Sequence, residues 1–198
     1  DSISAQPVRE DDEYAGLRVM LTAMLGKARL PLHVDVGFGD VVVPAAAEAA
    51  FPVLLDFPAP VLRVYSRESV IAEKLHAMVR LGQLNSRMKD FYDIWLLSRH
   101  CEFDGPTLCR AVAAAFSRRD TPLPPQLPLA LTPAFGQDAE KVVQWRAFLS
   151  RTGLEVEDRR FEDIVAEVRQ FLAPVLSSLA QGTLLAQAWV PDKRWRPD

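Results

Sequence analysis

The chain has 198 residues, enough for one or two domains with a real core, and its 49% apolar content is that of an ordinary globular protein. Its 23 basic side chains against 26 acidic ones leave a net charge of −3. That balance argues against a strongly electropositive nucleic-acid binder, while a local basic patch of Arg80, Arg87 and Lys89 stays open.

Residues 1–13 are polar and acidic and are expected to be irregular. They lack signal-peptide character, and no apolar run in the chain approaches the roughly 20 residues of a membrane span, so no membrane is expected. No initiator methionine is present, and the chain is expected to be cut from something longer. Residues 14–25 are rich in apolar side chains and end at a Gly26-Lys27 turn. Leu32, Val34 and Val36 then alternate with His33 and Asp35, the period of a strand. Residues 17–25 are expected to pair with residues 30–37 as an antiparallel hairpin. Gly37 and Gly39 mark a tight turn, and residues 41–43 resume in extended form. Residues 53–57 and 61–65 read as two more extended segments, split by Pro58 and Pro60.

Helices come next. Ser66 is the expected N-cap of a first helix, with Glu68 in its first turn and an apolar stripe of Val70, Ile71, Leu75, Met78 and Val79 that ends near Gly82. A polar break carries Gln83, Asn85, Ser86, Arg87 and Lys89. A second helix puts Phe91, Ile94, Trp95 and Ser98 on one face. A third spans about 106–118. Residues 119–135 hold five prolines and read as a linker or extended connection. Two more helices fit 137–151 and 160–181, the latter with Pro174 inside it. The closing residues VPDKRWRPD are polar and expected to fray. The fold class is thus α+β: a short mixed or antiparallel sheet packed by helices, with a helical C-terminal region. The divisions are a sheet part (1–66), a helical part (67–118), the Pro-rich connection (119–135) and the C-terminal helices (136–198).

Cys101 and Cys109 read as reduced thiols of a cytoplasmic protein rather than a disulfide. Asp35 is either a strand carboxylate that ligates Mg²⁺ or takes a proton, or a solvent-facing residue of a half-buried strand. Lys74, set among Ile71, Leu75 and Met78, can reach a triphosphate as a point charge, or can snorkel or pair with Glu68 or Glu73. His76 reads as a satisfied core or surface residue. Arg87, Lys89, Asp90 and Asp93 form the densest cluster. Asp90 and Asp93 share a helix face at i,i+3 spacing, and Lys89 and Asp93 at i,i+4 also fit a plain surface ion pair. Asp90 fits an N-cap equally well. Charges in the aromatic company of Phe91, Tyr92 and Trp95 favour a polar site for phosphate or metal. The phosphate-loop, dinucleotide, nucleophile-elbow and zinc spacings are absent.

The segment VIAEKLHAMVRLGQLNSRMKDFYDIWLLS, with the earlier LHVDVGFGD and VYSRES, resembles the AbiEii/AbiGii toxin family of nucleotidyltransferase-like proteins, over most of residues 14–120. The resemblance implies an incomplete nucleotidyltransferase-like sheet flanked by helices, and transfer of a nucleotide from an NTP to an RNA or protein acceptor. It also implies a toxin of a toxin–antitoxin or phage-defence (abortive infection) system, with a cognate antitoxin. By that resemblance Asp35 matches a catalytic strand carboxylate and metal ligand, and Lys74 a nucleotide-binding lysine. Asp90 and Asp93 match the late catalytic acids, with Arg87 and Lys89 as a nucleotide-binding flank. Mg²⁺ is the implied cofactor and an NTP the implied substrate.

The family's Gly-Ser turn and Asp-x-Asp strand are missing: the sequence has no Gly-Ser dipeptide, and Glu155-Val156-Glu157 lies in the wrong region. That segment is expected upstream or lost, and this chain alone is expected to have little or no transferase activity. Three readings stand: an NTP-dependent transferase toxin, a non-catalytic module of the same type that binds RNA or protein, and a structural domain whose charges are surface pairs.

Overall fold

The computed structural model describes residues 3–8, 16–154, 156, 159–191 and 194–197. The protein is α+β, with small sheets whose pairings are all antiparallel and, among the described residues, six α-helices. It divides into two compact units, Asp1–Asp40 and Val41–Asp198.

The first unit is a three-stranded sheet in the order β1 (Ser4–Val8), β2 (Gly16–Leu25), β3 (Ala28–Gly37). β2 and β3 form the expected hairpin, in register from Gly16↔Gly37 to Leu25↔Ala28. The two-residue turn between them places Gly26 at φ 60°, a left-handed conformation that glycine adopts without cost. β1 corrects the expectation of an irregular start for part of residues 1–13: Ser4–Val8 pairs with β2 although its sequence, SAQPV, holds a proline and little β-branched character, while residues 1–2 and 9–13 lie outside the described residues. None of this unit's described residues is buried.

The second unit opens on residues 41–46, which form no strand. Residues 41–43 are the segment expected in extended form, and Val43 is bonded to the start of a helix. Its N–H donates to Ser69 Oγ at 2.8 Å, and its carbonyl accepts from Ser66 Oγ at 2.9 Å. β4 (Ala47–Ala50) pairs with β5 (Val61–Val64). The AEAA of β4 has low strand propensity and is strand through its pairing. Residues 53–57, expected to be extended, form a bend that leaves Leu54, Leu55 and Phe57 exposed.

The helical body comprises α1 (Arg67–Leu81), α2 (Met88–His100), α3 (Gly105–Arg118), α4 (Pro133–Gln137), α5 (Ala139–Thr152) and α6 (Phe161–Ala180). Side-chain caps start four of them: Ser66 for α1, Asp104 for α3, Thr132 for α4 and Asp138 for α5. α6 is the hub, packed against α2, α3, α4 and α5, while α1 lies against α2 and α3. Phe161, Ile164, Val168, Phe171, Leu172 and Val175 of α6 are fully buried and share one core with Phe91 and Ile94 of α2 and Leu108, Val112 and Phe116 of α3. Each such side chain contributes about 2 kcal/mol or more by leaving water. Phe91 stacks on Phe135 at 5.6 Å and meets Phe161 edge-on at 5.2 Å. The Pro-rich stretch 119–135 is mostly extended and buries Ala130 and Leu131 in a one-turn 3-10 segment before α4.

The expectation of a frayed tail is overturned for its described residues, 190, 191 and 194–197; residues 192, 193 and 198 lie outside them. β6 (Phe103–Asp104), β7 (Gln187–Val190) and β8 (Arg194–Pro197) form a sheet of their own. Two tryptophans anchor it: Trp189 Nε1 donates to the Ser98 carbonyl at 2.6 Å, and Trp195 stacks on Phe171 while donating to its carbonyl at 3.0 Å. Gly105 is required beside it, since a Cβ there would lie 2.3 Å from the Leu185 carbonyl oxygen.

Candidate functional site

The site is built where α1 gives way to α2. α1 turns its apolar stripe, Ile71, Leu75 and Met78, into the core and carries Lys74 at its edge. Gly82, at φ 50°, stops the helix. Asn85 then sets the course of the chain into α2. It is fully buried, and its Oδ1 accepts from the Arg87 N–H at 2.9 Å, closing a short side-chain turn. α2 therefore begins at Met88, so Asp90 is not an N-cap. It sits in the first turn, where the helix dipole favours a carboxylate, and Asp93 shares its face one turn on.

That face meets Lys74. Its Nζ lies 2.7 Å from Asp90 Oδ1 and 2.7 Å from Asp93 Oδ2, with all three side chains less than one-fifth exposed. Lys89 Nζ reaches Asp93 Oδ2 at 2.6 Å, and Arg87 Nη1 stands 3.9 Å from Asp90 Oδ2. Three cations thus surround two acids. Burial works to lower the pKa of Lys74, but the hydrogen bonds to Asp90 and Asp93 and their charges outweigh it and raise it. Lys74 is therefore a fixed ammonium with no capacity to act as a base near neutral pH. Its chemistry is electrostatic: it can hold and neutralise an anion.

Two buried polar atoms here lack hydrogen-bond partners, Asp90 Oδ2 and Asn85 Nδ2. Asp90 also lines a cleft of about 520 Å³ between the end of the α1–α2 break with the first turn of α2 (Ser86 to Asp90) and the α5 residues Gln144, Ala147, Phe148, Arg151 and Thr152. A larger hollow of about 820 Å³, between α5 and α6, is lined by Trp145, Leu149 and Phe161 and holds none of the clustered charges. The smaller cleft carries Arg87, Lys89 and Asp90 of the cluster, and convergent charge rather than volume is what favours an anion.

Asp35 belongs to the sheet unit. Its cross-strand neighbour Arg18 grips it with both ends, Nε to Oδ1 at 2.6 Å and Nη2 to Oδ2 at 2.7 Å. That hydrogen bond holds the Asp35 carboxyl below the usual carboxylate range. His76 is the satisfied residue the sequence suggests. Its Nε2 lies 2.9 Å from Thr121 Oγ1 and its ring meets Phe116 edge-on. Burial, then the charges of Arg119 and Arg80, push its pKa down to about 4, so it is neutral. Cys101 and Cys109 are free thiols. Among the sequence candidates, the structure brings together Lys74, Arg87, Lys89, Asp90 and Asp93. Sequence reasoning assigns no role to Asn85, Gln144 or Arg151. An Asn two residues ahead of the basic start of a helix is the one available signal, and the α5 pair has none.

No helix among the described residues is long and apolar enough to cross a membrane. Residues 1–167 match the protein family described as nucleotidyl transferase AbiEii toxin, type IV toxin–antitoxin system. No curated protein and no solved structure matches the chain.

Proposed function

Because this chain belongs to the AbiEii family of nucleotidyl transferase toxins, we propose that it binds a nucleoside triphosphate in the cytoplasm as part of a toxin that transfers the nucleotide to an RNA or protein acceptor, under restraint by a cognate antitoxin. In such a transfer an acceptor hydroxyl oxygen bonds to the α-phosphorus and gives up its proton to water, the bond from that phosphorus to the pyrophosphate oxygen breaks, and pyrophosphate leaves with that electron pair. The observation that carries the reading is the Lys74 ammonium held between Asp90 and Asp93 at 2.7 Å each, with Arg87 and Lys89 beside it. In the proposal Lys74, Arg87 and Lys89 take the triphosphate charge. Asp93 positions two lysines, and Asp90 positions Lys74 with one oxygen and keeps the other for the nucleotide.

The cluster does not fit a resident Mg²⁺. Its two acids share the Lys74 ammonium, and among the described residues no group of three or more His, Cys, Asp or Glu side chains is placed to hold a metal. Asp35 has both oxygens engaged by Arg18. The proposal rests on the chain's own cations.

A second reading has one observation in its favour: the sequence has no Gly-Ser dipeptide, the turn that the family resemblance leads one to expect. In that reading the chain holds a nucleotide, or a partner, without transferring anything. Incubation with each α-labelled NTP and a mixture of bacterial RNA and protein tests both. Transfer predicts label on one class of acceptor, reduced at least about 100-fold in Lys74→Gln. NTP binding with no label in any fraction puts the binding module in its place, and absence of NTP binding removes both.

A further inference from the structure

We infer that the nucleotide site extends across the cleft onto α5, where Gln144 and Arg151 bind the ribose and the phosphates; this rests on the reading that the chain binds an NTP. Each wall of the cleft contributes one buried acceptor oxygen that has no donor: Asp90 Oδ2 from α2 and Gln144 Oε1 from α5. The Gln144 amide is held in that sense because its Nε2 donates to Glu140 Oε1 at 2.7 Å. Arg87 Nη1, at 3.9 Å, is too far to satisfy the Asp90 oxygen. Two unsatisfied acceptors on residues of opposite walls suit a ligand that brings hydrogen-bond donors.

The same cleft carries three cations, Arg87, Lys89 and Arg151, against the single carboxylate of Asp90. It therefore also calls for anionic charge. Met88, Ala147 and Phe148 supply an apolar wall. A volume of about 520 Å³ falls within the range of small-ligand sites. Hydroxyl donors next to several negative charges and one apolar ring describe a ribonucleotide with a polyphosphate chain. The ribose 2′- and 3′-hydroxyls are the donors, and they belong to the sugar whose 5′-oxygen carries the phosphates that the cations take. Asp90 joins this cleft to Lys74, since its other oxygen accepts from the Lys74 ammonium at 2.7 Å. The α5 wall then sets a preference for ribose over deoxyribose, because a deoxynucleotide leaves one acceptor without its donor.

The test is calorimetric titration of the whole chain with a ribonucleoside triphosphate and with its deoxy counterpart, with melting curves to show that each variant is folded. The wild type binds the ribonucleotide more tightly. Arg151→Glu weakens both ligands at least about tenfold, as loss of one charge-assisted contact does. Gln144→Met brings the two affinities together. Arg146→Glu, a like charge change on α5 beside the larger hollow, leaves both affinities unchanged. If Lys74→Gln loses affinity while Arg151→Glu and Gln144→Met bind like wild type, the α5 wall is overturned and triphosphate binding at Lys74 survives. If the wild type binds no triphosphate at millimolar concentration, both fall.

Discussion

In the sheet unit one aspartate is gripped by one arginine, and in the helical body two aspartates close on one lysine; the distances are nearly the same and the surroundings are not. Arg18 and Asp35 are 39% and 49% exposed, so water and salt screen them and the pair contributes little. The side chains of Lys74, Asp90 and Asp93 are 17%, 12% and 19% exposed. Holding them there costs desolvation, which only their mutual contacts offset. The units differ in the same sense throughout. The helical body holds the buried core, and no described residue of the sheet unit is buried. An ion cluster set in a packed scaffold is screened less by water and salt than an exposed pair of equal geometry.

The largest expected effect that would break this contrast is on the core. Phe91→Ala removes a ring that touches both Phe135 and Phe161 and is expected to cost about 3–5 kcal/mol in urea unfolding, whereas Val34→Ala on the sheet costs under about 1 kcal/mol. Equal losses would mean that the sheet unit shares the stabilising core. Next comes the cluster. Lys74→Ala leaves two mostly buried acids facing each other and is expected to destabilise by about 2–4 kcal/mol by the same measurement. Asp35→Asn, in contrast, is expected to leave the melting temperature within about 1 °C of wild type. A large shift in that variant would contradict the screening argument.

The helical body also withholds His76 from water, and this sharpens the contrast through pH. Its folded pKa of about 4 lies below the ordinary 6.5, so the unfolded chain binds the proton more readily. The stability His76 contributes is complete above pH 6.5 and is lost as the pH falls toward 4. Unfolding free energies from urea at pH 7 and pH 4.5 are expected to separate by about 2 kcal/mol more in wild type than in His76→Gln. The reverse sign, or no difference, would show that the ring is not held neutral by burial. The smallest effect is Lys89→Ala: its side chain is 71% exposed, and loss of its contact with Asp93 is expected to cost about 0.3 kcal/mol and to vanish in high salt.

The sequence makes legible whatever local rules govern. Alternation and Gly26 yield the β2–β3 hairpin. The Ser66 cap and Gly82 yield the ends of α1, and apolar faces yield α3 and α6. Where distant partners decide, sequence patterns mislead. β4 is AEAA and is strand because Val61–Val64 lies beside it. The tail is polar, yet Trp189 and Trp195 dock it on Phe103 and Phe171. The apolar 53–57 stretch reads as strand on hydrophobicity alone, but prolines flank it and no strand pairs with it among the described residues. At the candidate site, the shared face of Asp90 and Asp93 is visible in their spacing. That Lys74, sixteen residues before Asp90, bridges them depends on how Gly82 and Asn85 fold the break. The α5 wall, with Gln144 and Arg151, comes more than fifty residues after the break, and no periodicity foretells that meeting.

The central claim is that the Lys74 ammonium reads phosphate. Its most direct test is the affinity of wild type and Lys74→Gln for a nucleoside, its monophosphate and its triphosphate. The account predicts that wild type binds more tightly with each added phosphate and that the Gln variant loses most of this gain while keeping its fold. An identical rise with phosphate number in both proteins would contradict it.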